Sequence, residues 1–165
     1  HLQSIVIARQ LQDQRGLATR LANLGNSYVS LGDIPNAIKY FDEAVEIYEN
    51  VGERKDLALR LGILGNLYSE LARQASIEGD VNRHGQQALA YYGRALDIAH
   101  QLGDPYAEAE LLRSMGRTLY ESGRLDESLR YFRRALRQYQ SLSDSTQINE
   151  TTRIIAAIQD QQRTP

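Results

Sequence analysis

The chain has 165 residues, 42% of them hydrophobic, which is enough for one ordinary domain with an apolar core. Its formal net charge of −2 does not support a general phosphate-binding surface, so we expect no nucleic-acid partner. The lack of cysteine excludes disulfides and cysteine-based metal sites, and the lack of any apolar run near the roughly 20 residues that span a bilayer predicts no membrane partner.

The first predicted element is a helix near the N-terminus. Its apolar residues recur at helical spacing: Leu2, Ile5, Val6 and Leu11. Alignment with a later helix 40 residues on identifies residues 1–13 as the second helix of a truncated repeat. The chain starts without an initiator methionine or a signal-peptide pattern, so we interpret the terminus as the cut edge of a longer protein. The flank of this helix would lack a neighbour and could support homo-oligomerisation.

Residues 16–52 are predicted to form the first complete repeat, a pair of helices. The first helix has its apolar positions three or four residues apart: Leu17, Leu21, Leu24 and Tyr28. Gly25 lies among them, where glycine costs about 1 kcal/mol relative to alanine, so we expect a neighbouring helix backbone to approach it closely. Gly32 and Asp33 form the turn, and Pro35 fits the first turn of the second helix.

The second predicted repeat, residues 55–103, contains an insertion. The glycine of the first helix precedes the small residue of the second helix by 12 positions in the other two repeats, but Gly65 precedes Ala88 by 23. We predict that the extra residues, near 73–84, extend the first helix to about Glu78 and then form a loop before a helix that begins at Gln86. The insertion is interpreted as a tolerated surface feature, with a partner contact as the alternative.

Residues 105–143 are predicted to form the third repeat, with helices over 106–122 and 125–141. A last helix is predicted over residues 146–162. Its outer side is polar, as is typical of a helix that caps the end of a stack.

A fixed order of large, small and aromatic residues is therefore present in three copies. In the first repeat its members are Leu21, Leu24, Gly25, Tyr28, Ala37, Phe41 and Ala44. This pattern resembles the tetratricopeptide repeat, in a version with leucine in place of tryptophan and a period of 40 rather than 34 residues. The resemblance covers about residues 16–141. It implies an all-α fold, a right-handed α-solenoid whose first helices line a concave groove and whose second helices form the convex back.

The resemblance also implies a scaffold that binds protein segments and has no chemistry of its own. The long period is similar to that of repeats in bacterial multidomain regulators and in some eukaryotic adaptors. Arginine is much commoner than lysine, which favours a bacterial source. We therefore expect a cytoplasmic protein that holds a peptide segment of a partner. The alternative is an assembly or sensor arm of a larger regulator, acting by end-to-end or self-association.

Six residues are predicted to line the peptide-binding groove: Asn23, Asn26, Asn66, Arg113, Arg117 and Tyr120. Asn26, Asn66 and Arg117 occupy one equivalent position in the three repeats. A carboxamide offers a donor and an acceptor, so it could bracket a peptide main chain, as similar family members do. The alternative is a local hydrogen bond within its own repeat. The same packing face predicts that Ala22, Leu59, Gly62, Ile63 and Ser69 also look into the groove.

Arg113 and Arg117 lie one helical turn apart and suit a ligand carboxylate or phosphate. Glu110 and Glu121 flank them, so an internal network of ion pairs is the favoured alternative. Tyr120 would either stack on an apolar anchor of the partner or pack on the next helix. We predict no catalytic residues, no metal site and no cofactor, because no catalytic or metal-ligand spacing is visible. A basic stripe on the last second helix is interpreted as a solvated convex face: Arg130, Arg133, Arg134 and Arg137.

Overall fold

The structure is a computed structural model that describes residues 13–163, all within or between seven α-helices. In chain order these are α1 (Gln14–Ser30), α2 (Ile34–Val51), α3 (Arg54–Gln74), α4 (Glu78–Leu102), α5 (Pro105–Glu121), α6 (Leu125–Ser141) and α7 (Ser145–Arg163). Residues 13–163 contain no strand, so the all-α prediction is confirmed. The helix predicted over residues 2–12 lies outside the described part of the chain.

The helices pack as consecutive pairs that stack into a superhelix. The most extensive contacts are those of α1 with α2, α3 with α4 and α5 with α6. Each pair then packs on the next, and α7 packs on α6. The first helices α3 and α5 also touch directly, which places α1, α3 and α5 along one side of the stack and their partners along the other.

Short polar side chains set the helix starts. An aspartate before each of four helices accepts a hydrogen bond from the first turn: Asp13, Asp33, Asp104 and Asp144. Gly103 ends α4 in the left-handed conformation, with φ of 64°, which a side chain would disfavour. These caps account for turns as short as two or three residues between long helices.

In each repeat, one aromatic ring of the core lies on the glycine of the paired helix. Phe41 packs on Gly25, Tyr92 on Gly65, and Phe132 on Gly116 in the same way. A Cβ at Gly65 would lie 2.5 Å from Cε1 of Tyr92. The expected close approach is therefore confirmed, but the neighbour is an aromatic side chain and not a helix backbone.

Both predicted boundaries in the insertion are wrong: α3 ends at Gln74 and not near Glu78, the break falls at residues 75–77, and the predicted loop over residues 79–85 is helical. The four extra residues of α3 relative to α1 and the seven extra of α4 relative to α2 account for the whole insertion. Glu78 and Asp80 in the first turn favour the helix start. The ring of His84 stacks on Tyr68 at 6.1 Å, and Gly85 is buried beside Ser122. These tertiary contacts hold the segment as a helix despite its glycines.

Two hydroxyl groups join α3 to α5 inside the core. The oxygens of Ser69 and Thr118 lie 2.9 Å apart, and both side chains are buried. Thr118 donates its own proton to the carbonyl of Ser114 at 3.1 Å, so Ser69 is the donor between the two hydroxyls. The predicted groove-facing orientation of Ser69 is therefore wrong, as is that of Ala22, which is fully buried.

We expect Thr118→Val to lower the free energy of unfolding by about 1–2 kcal/mol, because it leaves the buried Ser69 donor without its acceptor. Ser69→Ala should cost less, since Thr118 keeps its bond to Ser114. The double variant should be little worse than Thr118→Val alone. Chemical denaturation measures all three, with the exposed Thr152→Val as the control. A larger loss for Ser69→Ala than for Thr118→Val would contradict the direction assigned to this hydrogen bond, and strictly additive losses would contradict the bond itself.

Candidate functional site: a two-part groove along the first helices

Four of the six predicted site residues come together in one cavity. Asn66 of α3 lines a cavity of about 530 Å³ with Arg113, Arg117 and Tyr120 of α5. Glu150 and Ile154 of α7 line its far side. We call this cavity the polar pocket. Asn23 and Asn26 are exposed on α1 and do not line it, so the structure separates them from the other four.

A second cavity, of about 460 Å³, adjoins the polar pocket between α3 and α5. Its lining is largely apolar, with Leu59, Gly62 and Ile63 from α3 and Leu111 from α5. We call it the apolar pocket. Asn66 lines both pockets, so the two form adjacent parts of one groove.

Sequence reasoning placed these α3 residues on the groove side but did not select them as site residues. Leu59 is 55% exposed. The sequence feature that could have indicated the apolar pocket is Leu59 followed three positions later by Gly62, because a glycine leaves space beside the leucine.

Arg113 is held in an internal ion-pair network, in agreement with the favoured alternative. Its Nη2 lies 2.7 Å from Oε2 of Glu110, and its Nη1 lies 3.6 Å from Oε1 of Glu150. Tyr139 donates its hydroxyl proton to the other oxygen of Glu110. Burial acts to lower the pKa of Arg113, but the hydrogen bond and charge of Glu110 outweigh it, so the pKa is raised. Arg113 therefore links α5 to α7, and its ion pairs within the chain leave it poorly placed to bind a ligand.

Arg117, one turn further along α5, has a different environment. It is exposed, and no carboxylate oxygen among residues 13–163 lies within 4 Å of its guanidinium as an ion pair. The predicted pairing with Glu121 is absent from this part of the chain. Arg117 consequently presents donors to the polar pocket that a ligand carboxylate or carbonyl could accept.

Asn66 makes the local hydrogen bond that was the alternative prediction, and its contact with a ligand stays a prediction. Its Oδ1 accepts a hydrogen bond of 2.7 Å from the hydroxyl of Tyr92, so half of the carboxamide is used within its own repeat. Its Nδ2 carries two further donors. Burial raises the pKa of Tyr92 to about 12, so this hydroxyl stays protonated at physiological pH. Asn26 has no such bond, since the equivalent ring, Phe41, has no hydroxyl.

Tyr120 is 42% exposed and contacts the next helix through its tip. Its hydroxyl donates to Oε1 of Gln161 in α7 at 3.3 Å. One face of the ring remains toward the polar pocket, which it lines. The contact with α7 agrees with the predicted packing on the next helix, and stacking on a partner stays a prediction.

Other candidate chemistry is not assembled in the described residues. Residues 13–163 contain no group of three side chains able to hold a metal ion, and none of their helices is long and apolar enough to cross a bilayer. The basic stripe on α6 is exposed, with Arg134 lying over the ring of Tyr131 at 5.6 Å. It occupies the side of the stack opposite the groove.

Comparison with known proteins agrees with this geometry. The sequence matches the tetratricopeptide repeat family over residues 17–78 and 82–141. It is 31% identical to human G-protein-signaling modulator 1 over 108 residues, which are 66% of this chain but only 14% of that protein.

Two solved structures share the fold. The N-terminal domain of stress-induced protein-1 (STI-1) from C. elegans superposes with a TM-score of 0.64 at 14% identity, covering 85% of this chain and 95% of that one. BtubC (BKLC) from P. vanneervenii gives a TM-score of 0.64 at 16% identity, over 92% and 66% of the two chains. At these identities the likeness concerns the fold alone. With more than half of its length matched to the repeat, the chain belongs to the tetratricopeptide repeat family.

Proposed function

We propose that this chain is a protein–protein interaction module that binds a peptide segment of a partner in the groove of α3, α5 and α7. Repeats of this family generally mediate protein–protein interaction. The observation that carries the proposal is the apolar pocket beside the polar pocket, with Asn66 lining both. An open apolar cavity with a few polar groups at its edge is the usual character of a binding site.

Each part of the groove has a distinct role in this proposal. The apolar pocket takes one bulky apolar side chain, with Leu59 and Ile63 as its contacts. Asn66 binds a main-chain carbonyl of the segment, and Arg117 binds a further acceptor. Because packed helices hold these groups in place, the partner segment alone loses conformational entropy on binding.

Selection from a random peptide display library, followed by fluorescence polarisation with a labelled selected peptide, tests the proposal. We expect Asn66→Ala to weaken binding about tenfold, since a hydrogen bond to a ligand is worth about 1 kcal/mol or more. Asn26→Ala should add to this loss if the segment reaches α1. Asn50→Ala, an exposed asparagine on α2, is the matched control. A library that yields no binder, or a double Asn26/Asn66 variant that binds as well as the unchanged protein, would refute the groove.

Several finer expectations stay predictions. The assembly-arm alternative depends on the predicted N-terminal helix, which lies outside the described residues. Light scattering over a concentration series tests it, because a strict monomer at high concentration would remove its basis. The 40-residue subclass, the bacterial source and the cytoplasmic location are likewise predictions from the sequence alone.

A further inference from the structure

We propose that the hydroxyl of Tyr92 is a positioning group, which holds the Asn66 amide with its NH₂ toward the groove. The second repeat then recognises hydrogen-bond acceptors of a partner segment, not donors. The inference rests on the proposed function for its ligand, but the held amide is a property of the free protein.

Tyr92 reaches the groove from the opposite layer of the stack. It belongs to α4, a second helix, and its side chain is only 1% exposed. The ring lies directly on Gly65, where a Cβ would approach Cε1 and Cδ1 at 2.5 and 2.6 Å. At the end of the ring the hydroxyl donates to Oδ1 of Asn66 at 2.7 Å. The close packing of the Tyr92 ring on Gly65 therefore fixes the position of the hydroxyl.

The neighbours of the hydroxyl decide the direction of this hydrogen bond. A phenol can donate or accept, whereas a guanidinium can only donate. Burial raises the pKa of Tyr92, and the charge of Arg117 together with hydrogen bonding by Thr118 and Arg117 acts against that rise. Oδ1 of Asn66, which lies 2.7 Å from the phenol oxygen, can only accept, so the phenol proton points to Asn66. The carboxamide must then place its oxygen inward and its NH₂ outward.

The other repeats show that packing does not require the hydroxyl. Phe41 and Phe132 fill the equivalent position on Gly25 and Gly116 with a phenyl ring that has no hydroxyl. The hydroxyl occurs in the one of these three repeats whose groove asparagine lines both pockets. Asn26 faces Phe41 instead, and its amide has no hydrogen bond that would select either orientation among the described residues.

The orientation of the Asn66 amide determines which ligand group it can bind. An outward NH₂ at the junction of the pockets suits a main-chain carbonyl of an extended segment. The neighbouring side chain of that segment would lie in the apolar pocket. A ligand NH group at the same place would meet a donor and be rejected.

The first test uses the free protein and ¹⁵N relaxation of its side-chain amides. We expect the Asn66 NH₂ group to be ordered in the unchanged protein and to become as mobile as the Asn26 NH₂ group in Tyr92→Phe. Asn26 in the same spectra is the internal control. An Asn66 amide with the same order parameter in both proteins would overturn the inference, and this result does not depend on any ligand.

The second test measures binding of a fluorescein-labelled peptide selected on the unchanged protein. In the otherwise unchanged protein, Tyr92→Phe should weaken binding about fivefold, because a hydrogen bond contributes about 1 kcal/mol. In a protein that already carries Asn66→Ala, Tyr92→Phe should have no further effect on binding. Equal weakening in both backgrounds would indicate a merely structural role and overturn the inference. Thermal unfolding of Tyr92→Phe checks that the fold is intact.

Asn66→Asp separates donor from acceptor recognition. The aspartate can still accept from Tyr92 but has no NH₂ for the ligand, so we expect binding to fall at least as far as in Asn66→Ala. Full binding by Asn66→Asp would overturn the donor assignment. If the library yields no peptide at all, the proposed function fails, while the relaxation measurement still decides the role of Tyr92.

Discussion

Gly65→Ala is expected to lower the free energy of unfolding by about 2 kcal/mol, although alanine is the better helix former by about 1 kcal/mol. The added Cβ would lie 2.5 Å from Cε1 of Tyr92 and 2.9 Å from Cζ. The ring is buried in the core and cannot move without disturbing both α3 and α4. Urea denaturation of the purified variant measures the loss.

Gly93→Ala is the matched control, because Gly93 also lies inside a helix but its Cβ would meet no atom within 4 Å. It should raise the stability by up to about 1 kcal/mol. Gly25→Ala and Gly116→Ala should be intermediate, with nearest ring atoms at 3.0 and 3.1 Å. If Gly65→Ala were as stable as Gly93→Ala, the ring would not pack on this glycine as described.

The helix pairs were predictable because their packing residues recur at fixed spacing. Leu21, Leu61 and Leu112 are all buried, and each repeat has its aromatic ring on its glycine. Each ring and its glycine belong to the same repeat and to the repeated pattern itself. Local periodicity therefore contains most of the information about the fold.

The insertion was mispredicted because its composition favours a loop while its contacts favour a helix. Gly79, Asp80 and Gly85 are typical of turns when considered alone. The stack of His84 on Tyr68 and the burial of Gly85 beside Ser122 join residues that are distant in sequence. No single-sequence pattern indicated either contact.

The site was predictable in position but not in detail. Asn26, Asn66 and Arg117 are exposed, as the helical period predicts, but Ser69 is buried because the next first helix covers it through Thr118. Whether a position faces the groove or the next repeat depends on how closely the repeats stack, which the period does not specify.

The different environments of Arg113 and Arg117 also could not be predicted from helical spacing. Arg113 and Arg117 lie one turn apart with a glutamate near each. Glu150, from α7, adds a second carboxylate to Arg113, and Glu121 makes no ion pair with Arg117 among the described residues. The sequence contained all these charges, but only the packing of α7 decides which arginine remains available.

Gly62→Leu, three residues before Gly65, should weaken peptide binding without lowering the stability of the fold. A Cβ at Gly62 would lie 3.6 Å from Cδ2 of Leu111, an ordinary contact, so the fold can accept a side chain there. Replacing a glycine inside a helix should raise stability by up to about 1 kcal/mol. The leucine would occupy the apolar pocket that the partner side chain is proposed to fill.

The expected loss of affinity for the selected peptide is about ten- to hundredfold, because burial of one large apolar side chain is worth about 1.5–3 kcal/mol. Gly62→Ala adds one methyl group and should bind nearly as well as the unchanged protein, and Gly93→Leu gives the same change of residue outside the groove. Fluorescence polarisation and thermal unfolding should therefore move in opposite directions for Gly62→Leu. If that variant bound the peptide fully, the apolar pocket would not be the place where the ligand is anchored.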